Sequence, residues 1–150
     1  MLTPWRYRYI QSMSASGKRE CFLCKAVQET GRDDENLVVL RGAYALVILN
    51  RYPYTWGHAM IAPYRHISQF EELAGNEWVE MMTLLRKLVG ALRAVASSRD
   101  FVIGINVGRA AGAGLEEHIH LHVIPKDTEM RAENLHEELV KLARDLRDAL

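Results

Sequence analysis

Three histidines, His118, His120 and His122, alternate late in the 150-residue chain. On a β-strand this spacing places all three side chains on one face, while the apolar residues between them point to the core. A neutral imidazole can act as a nucleophile, a hydrogen-bond donor or a metal ligand near neutral pH. Three side by side can hold phosphate oxygens while one attacks phosphorus. The pattern alone leaves phosphorus chemistry, metal binding and a solvated histidine stripe open.

A glycine-rich segment, residues 108–114, comes shortly before the histidines and includes Gly112 and Gly114. Glycine allows backbone conformations and close approaches that other residues hinder. Such a loop can bring backbone N–H groups to an anion. The sequence therefore predicts that this loop borders the histidine site.

Two cysteines, Cys21 and Cys24, form a second candidate site. A redox pair prefers a helix N-terminus in a βαβ setting, which the order of elements here does not suggest. Zinc would need two further ligands. A redox pair, a zinc site and buried reduced thiols stay open from the cysteines alone.

The elements that must position these residues are a helix, three strands, a long helix, two strands and a final helix. Their predicted ranges are 21–29, 37–40, 43–49, 58–62, 76–96, 101–107, 117–124 and a tail with helically spaced leucines from 135 to 150. Adjacent strand pairs favour antiparallel pairing. The expected architecture is a single α+β domain over 1–150, with an N-terminal arm (1–20) and a helical tail (126–150).

The long predicted helix carries apolar residues at helical spacing, including Trp78, Met81 and Met82. The two methionines suit either a ligand-binding stripe or core packing, and the spacing favours the core. Trp78 and the wide apolar face suit either the core or a partner subunit.

Charge and hydropathy argue against a general nucleic-acid binder and against a membrane-spanning protein. Nineteen basic and nineteen acidic side chains give no net charge, which argues against a general nucleic-acid binder. The sequence has no apolar run of about 18 residues, so we expect no membrane span. The first ten residues lack a signal-type apolar stretch, which predicts a cytoplasmic protein.

The run from His118 to Ile124, HIHLHVI, resembles the HφHφHφφ signature of the histidine triad (HIT) family. Agreement extends over residues 21–125, including the CFLCK run at 21–25 and the NRYPYTWGH run at 50–58. The resemblance implies a five-stranded, mostly antiparallel sheet with a long helix and additional N- and C-terminal helices. It also implies a homodimer in which two such sheets join.

The resemblance implies a hydrolase or transferase that cleaves at the α-phosphate of a dinucleoside polyphosphate or a nucleoside phosphoramidate. His120 would attack phosphorus and form a covalent nucleotidyl-histidine. His122 and His58 would contact phosphate oxygens. A backbone carbonyl near His118 would accept the other ring N–H of the nucleophile.

The resemblance also assigns a nucleotide site for the AMP part of a purine nucleotide. Asn50 would hold the ribose, Asn106 would lie beside the phosphates, and Phe22 and Leu23 would form the wall for the base. From the residues alone, Asn50 can instead start a turn, and the two apolar residues can be simple core.

Some bacterial HIT proteins pair a C-x-x-C motif with two distant histidines. In this chain those positions are Cys21, Cys24, His66 and His118, a Cys₂His₂ set that would close a structural zinc site. The zinc would tie the N-terminal helix to the sheet, and the chemistry itself would require no metal.

The TPWR sequence at residues 3–6 resembles the opening of the dinucleoside-tetraphosphate hydrolase and phosphorylase branch. The Pro-Lys-Asp sequence at 125–127 lacks the P-R-W continuation of that branch. Gly114 and Leu115 stand where family enzymes often carry Gln or Ser that reaches the leaving group. A nucleotide-binding or sensor module with weak activity is therefore the alternative prediction.

Overall fold

The computed structural model describes residues 20–112, 118–130 and 133–150. Nearly all of the predicted N-terminal arm, with its TPWR sequence, lies outside the described residues, as do Gly114 and Leu115. The elements are α1 (Phe22–Gln28), α2 (Asp33–Asn36), β1 (Val38–Arg41), β2 (Ala45–Leu49), β3 (Ala59–Pro63), α3 (Gly75–Val95), β4 (Phe101–Ile105), β5 (Leu121–Pro125) and α4 (Leu135–Asp148). Short 3₁₀ turns lie at Phe70–Glu72 and Arg109–Ala111.

The five strands form one sheet in the order β1-β2-β3-β5-β4, and every neighbouring pair is antiparallel. The predicted α+β architecture is confirmed. Alternate strand residues belong to two separate buried clusters. The larger cluster joins one sheet face to α3 and α4, and the smaller one joins the other face to α1. The face beneath α1 carries the candidate site.

Helix α3 supplies the centre of the larger cluster. Met81, Leu88 and Leu92 are fully buried there, and Met82 packs against them. The prediction of core packing is confirmed for Met81, and Met82 is partly buried at the border of the same cluster. Trp78 is 37% exposed and makes an edge-to-face contact with Phe70, so its ring lies at the surface instead of in the core.

The structure corrects the predicted strand of the three histidines. Strand β5 begins at Leu121, so His118 and His120 precede the regular strand. Pro63 at the end of β3 has no N–H to continue a ladder. The Ile119 N–H instead donates to the carbonyl of Ile67, beyond β3, at 2.7 Å. Helix α2 is a second difference between the predicted and the observed elements. The sequence does not predict it, because its four residues are too few to show a periodic pattern.

A buried carboxylate, Glu77, fixes the start of α3 to the segment after β3. Its side chain is 4% exposed and accepts the Ala74 N–H at 2.9 Å. It also accepts two hydrogen bonds from the Arg65 guanidinium, at 2.6 and 3.0 Å. Arg65 directly precedes His66, so this pair positions a candidate metal ligand. The hydrogen bonds from Arg65 hold the pKa of Glu77 below its usual value.

Replacing Glu77 with Gln is expected to lower the free energy of unfolding at pH 7 by about 1–2 kcal/mol. Because the folded-state pKa is lowered, this stabilisation is present above the unfolded pKa of about 4.3 and is lost as pH falls through the folded value. Urea unfolding between pH 7 and pH 3 should show the difference from the unmodified protein shrinking at acid pH. The exposed Glu71→Gln is the matched control, and an equal pH-independent loss in both variants would contradict the role of the Glu77 charge.

None of the helices in the described parts of the chain is both long and apolar enough to cross a membrane.

Candidate active site and metal centre

The ring of His120 is buried and held by the backbone of the same segment. Its Nδ1 lies 2.9 Å from the carbonyl oxygen of His118. A carbonyl only accepts, so Nδ1 carries the proton and Nε2 carries the lone pair. Burial lowers the pKa of His120, which keeps the ring neutral down to a lower pH than usual. The geometry therefore presents an uncharged, oriented nitrogen nucleophile.

A second hydrogen-bonded chain orients His58 and His122. The Tyr54 backbone N–H donates to Nδ1 of His58 at 3.1 Å, so a neutral His58 carries its proton on Nε2. That Nε2 lies 2.9 Å from Nδ1 of His122. His122 therefore accepts through Nδ1 and carries its own proton on Nε2. The ring of His122 lies 4.7 Å from the ring of His120, centroid to centroid.

Gly57 fixes the turn that delivers His58 to the site. Its φ is +92°, a conformation that favours glycine, and an added Cβ would lie 3.1 Å from Leu92 and 3.2 Å from Pro125. Thr55 hydrogen-bonds to the carbonyl of Pro125, which joins the same turn to the end of β5. Backbone conformation therefore favours glycine before His58, and the space there is tight for a larger residue.

A cavity of about 280 Å³ opens beside the histidines, at the lower end of the size range for small-molecule sites. Its charged lining side chains are both cationic, and no acidic residue lines it in the described parts of the chain. The cavity is therefore suited to an anionic ligand. The lining residues are Phe22, Lys25, Asn36, Ile48, Leu49, Asn50, Arg51, Tyr52, Tyr54, Met60, Asn106, Gly112, His120 and His122.

Most of the predicted nucleotide-site residues meet at this cavity. Asn50 lines the cavity, and its Oδ1 accepts the Tyr52 N–H at 2.8 Å. The residue therefore both starts a turn and lines the cavity. Leu23 is fully buried in the smaller cluster and does not line the cavity. Gly112 lines it with φ at +88°. Gly114 lies outside the described residues.

Several lining residues were missed from the sequence. Arg51, Tyr52 and Tyr54 lie inside the recognised 50–58 segment, so their position was a usable signal. Lys25 also follows the cysteine motif by one residue. Asn36 carried no signal, because only the fold brings the end of α2 to the cavity.

The predicted metal ligands converge at the other side of His118. The ligand atoms of Cys21, Cys24, His66 and His118 all lie within 4.8 Å of one another. Nδ1 of His118 is 3.3 Å from the Cys21 sulfur and 3.5 Å from the Cys24 sulfur. Nδ1 of His66 is 3.2 Å from the Cys24 sulfur. In a tetrahedral zinc site with ordinary bond lengths, such S···N separations are about 3.5 Å.

The surroundings of the cluster suit a cation. Nε2 of His118 lies 2.8 Å from the Pro63 carbonyl, so it donates there and leaves the Nδ1 lone pair facing the sulfurs. Burial raises the pKa of the Cys21 thiol to about 11, so the thiolate needs a bound cation to form at neutral pH. Burial also lowers the pKa of His118, which favours the neutral ring that a metal binds. Two thiols and two imidazoles in this arrangement fit the donor set of a closed structural zinc site.

Comparisons with known proteins agree with this geometry. The AP-4-A phosphorylase of Mycobacterium tuberculosis is 42% identical over 94 residues, which are 63% of this chain and 48% of that protein. The chain thus spans about half the length of this relative. The adenosine 5'-monophosphoramidase hnt1 of Schizosaccharomyces pombe is 28% identical over 109 residues, 73% of this chain and 76% of that protein.

A solved zinc-bound histidine triad family protein from Mycobacterium smegmatis has the same fold, with a TM-score of 0.66 and 24% identity. The match covers 86% of this chain and 94% of that chain. The HIT domain family matches residues 32–129, which include His58, His120 and His122. The chain therefore belongs to the HIT domain family.

Proposed function

We propose that the protein is a nucleotidyl hydrolase or transferase that works through a covalent nucleotidyl-histidine at His120. The observation that carries the proposal is the 2.9 Å hydrogen bond from Nδ1 of His120 to the His118 carbonyl, which leaves Nε2 unprotonated. His120 lines the cavity of about 280 Å³, whose charged lining residues, Lys25 and Arg51, are cationic.

The reaction takes two displacements at the α-phosphorus. Nε2 of His120 donates its lone pair to form an N–P bond, and the P–O or P–N bond to the leaving group breaks with its electron pair. Water or phosphate then forms a P–O bond while the N–P bond breaks, and His120 returns to its starting state. The incoming water gives up a proton in this second step.

The neighbouring histidines stabilise charge on the transferred group. The hydrogen-bond chain from Tyr54 through His58 leaves the Nε2–H of His122 as that ring's donor. A donor placed beside the nucleophile can bind the phosphoryl oxygens as negative charge develops on them. Gly112 of the glycine-rich loop also lines the cavity, while its own N–H donates to the Arg109 carbonyl at 2.9 Å.

A dinucleoside polyphosphate is the substrate class that we propose first. The relative with 42% identity is named AP-4-A phosphorylase, although the match covers 48% of its length. Cationic Lys25 and Arg51 line the cavity, which suits an anionic substrate of either class. A nucleoside phosphoramidate is the second candidate, favoured by the broader coverage of the monophosphoramidase hnt1.

Product analysis with diadenosine tetraphosphate, with and without inorganic phosphate, tests the proposal. AMP plus ATP in both conditions means hydrolysis, whereas ADP plus ATP only with phosphate means phosphorolysis. An absence of turnover would direct the assay to adenosine phosphoramidate. Micromolar AMP binding with no turnover of either substrate would contradict an enzyme and favour the binding or sensor module.

We also propose that the Cys₂His₂ cluster holds a structural zinc ion. The support is the convergence of four suitable ligand atoms, together with the zinc-bound relative from Mycobacterium smegmatis. The ion would join α1, which begins beside Cys21, to the segments at His66 and His118. Zinc at this place supplies cohesion and is no part of the displacement at phosphorus.

A homodimer through the outer edge of β4 is the third part of the proposal. Within the described chain, β4 pairs only with β5 and leaves its other edge open. Val102 is 52% and Ile103 is 45% exposed, so apolar side chains emerge on both faces of this strand. An open apolar edge is a template for pairing with a second copy. Two sheets joined there would form one of ten strands.

Replacing Ile103 with Lys is expected to weaken the dimer at least about tenfold, because a charge on an edge strand opposes pairing. Analytical ultracentrifugation over a dilution series measures the change. Tyr44→Lys is the control, since Tyr44 is 45% exposed in the turn before β2, towards the opposite edge of the sheet. A monomeric unmodified protein, or equal weakening by both variants, would contradict the β4 interface.

A further inference from the structure

One polar side chain at the cavity has no part in the chemistry described above. Asn36 lines the cavity, and its side-chain Nδ2 is buried without a hydrogen-bond partner among the described residues. An unpaired buried amide donor is unfavourable, so a native protein seldom keeps one without a reason. The position of Asn36 relative to the histidines indicates what that reason is.

The strand register gives the approximate distance across the sheet between Asn36 and the histidine end of the cavity. His122 pairs with Met60, Met60 pairs with Ile48, and Ile48 pairs with Val38, so these four residues form one row across the sheet. Neighbouring strands are about 4.8 Å apart, which puts Val38 about 15 Å from His122. Asn36 lies two residues before Val38, at the far end of the cavity. That span is comparable with the length of a nucleoside monophosphate.

The far end of the cavity has the character of a base site. Phe22 and Ile48 give it apolar walls, and Asn36 adds a carboxamide at its end. Arg51 donates to the Glu35 carbonyl at 2.7 Å, which ties the end of α2 to the loop that carries Asn50. The backbone that carries Asn36 is therefore fixed relative to the rest of the cavity.

We propose that Asn36 reads the edge of an adenine base, which deepens the proposed nucleotidyl-transfer function and rests on it. A carboxamide offers a donor beside an acceptor, and adenine offers an acceptor ring nitrogen beside its 6-amino donor. A half-turn about the Cβ–Cγ bond exchanges Oδ1 and Nδ2, so the side chain can present either atom to the base. Once the carboxamide has turned, Nδ2 leaves its buried position and the bound base supplies the partner that it lacks there.

Binding of two monophosphates that differ only at the base edge tests the assignment. Calorimetry would compare AMP with purine riboside 5'-monophosphate, which lacks the 6-amino group. The unmodified protein is expected to bind AMP about tenfold more tightly. In Asn36→Leu the two ligands should bind within about twofold of each other, while the ligand without the amino group binds much as before. Asn36→Ala repeats the test if the leucine variant does not fold.

Two control variants isolate the contribution of Asn36. Asn76→Leu makes the same change at an exposed asparagine at the start of α3, and the tenfold ratio should survive. Lys25→Met removes another polar side chain that lines the cavity, and the ratio should again survive. Collapse of the ratio in Lys25→Met, or its persistence in Asn36→Leu and Asn36→Ala, would overturn the assignment.

The same measurements distinguish failure of this inference from failure of the proposed function. If the unmodified protein turns over the dinucleotide but Asn36→Leu leaves the ratio at about tenfold, only the role of Asn36 is refuted. If the unmodified protein binds neither monophosphate and cleaves neither substrate, the nucleotidyl-transfer proposal falls and the assignment falls with it.

Discussion

Replacing His120 with Asn is expected to lower kcat on the preferred nucleotide substrate by about 10,000-fold, the scale of loss when a covalent nucleophile is removed. Asparagine keeps a side-chain amide near the His118 carbonyl but has no basic nitrogen to attack phosphorus. Affinity for AMP should change by less than about threefold, because the cavity walls and the other histidines are unchanged. Steady-state kinetics and calorimetry on the same preparation measure both quantities.

A matched control for this variant is His136→Asn, which changes an exposed histidine on α4 outside the cavity. Its kcat and AMP affinity should equal those of the unmodified protein. Undiminished turnover by His120→Asn would contradict the proposed nucleophile. A parallel loss of AMP binding and turnover would assign His120 to ligand binding instead.

The second large effect is expected on thermal stability, when the proposed zinc is removed from the Cys₂His₂ cluster. Binding of structural zinc releases about 10 kcal/mol or more in small domains. Even a third of that, about 3 kcal/mol, corresponds to a fall in Tm of about 10 °C for a chain of this length. We therefore expect chelation of the purified protein to release about one zinc per chain and to lower Tm by about 10 °C or more. Elemental analysis and calorimetric scanning measure the two quantities.

Cys24→Ser separates loss of the metal from other actions of the chelator. This variant should retain little zinc, should melt at the lower temperature without treatment, and should not respond further to chelation. Its kcat should also fall, because the ring of His118 would bind the proposed metal while its carbonyl holds His120. Purified protein without near-stoichiometric zinc, whose melting is unchanged by chelation, would contradict the zinc site.

The residue pattern predicted which histidines lie at the cavity better than it predicted the backbone that carries them. His120 and His122 were identified by alternation and by the family signature, and both line the cavity. The pattern also predicted one regular strand through all three histidines, which is wrong at His118 and His120. The backbone there bonds to the segment after Pro63, a long-range contact that local periodicity does not record.

The placement of Asn36 at the cavity depends on the register of strands that are far apart in the sequence, so the sequence could not predict it. The row from His122 through Met60 and Ile48 to Val38 exists only once the strands are aligned. Asn36 reaches the cavity through that alignment and through the short helix α2, which has too few residues to show a period. Leu23 illustrates the reverse, because the family resemblance implied a wall residue for the base, and the fold buries Leu23 in the core.

The candidate metal cluster needed both the sequence pattern and the fold to be recognised. The spacing of Cys21 and Cys24 was compatible with redox chemistry, zinc or plain packing. The fold brings His66 and His118 to the same point, with S···N distances of 3.2 to 3.5 Å. Those distances support the zinc proposal over a free thiol pair, since four ligand atoms seldom converge in this way without a metal to bind.

The most direct test of the account is to trap the nucleotidyl-histidine. Rapid mixing with diadenosine tetraphosphate, denaturing quench and mass spectrometry would report any covalent group on the protein. If His120 is the nucleophile, the protein gains the mass of one adenylyl group, located by peptide mapping on His120 and absent from His120→Asn. An adenylyl group on another residue, or single-turnover cleavage with no adduct at any time point, would contradict the account.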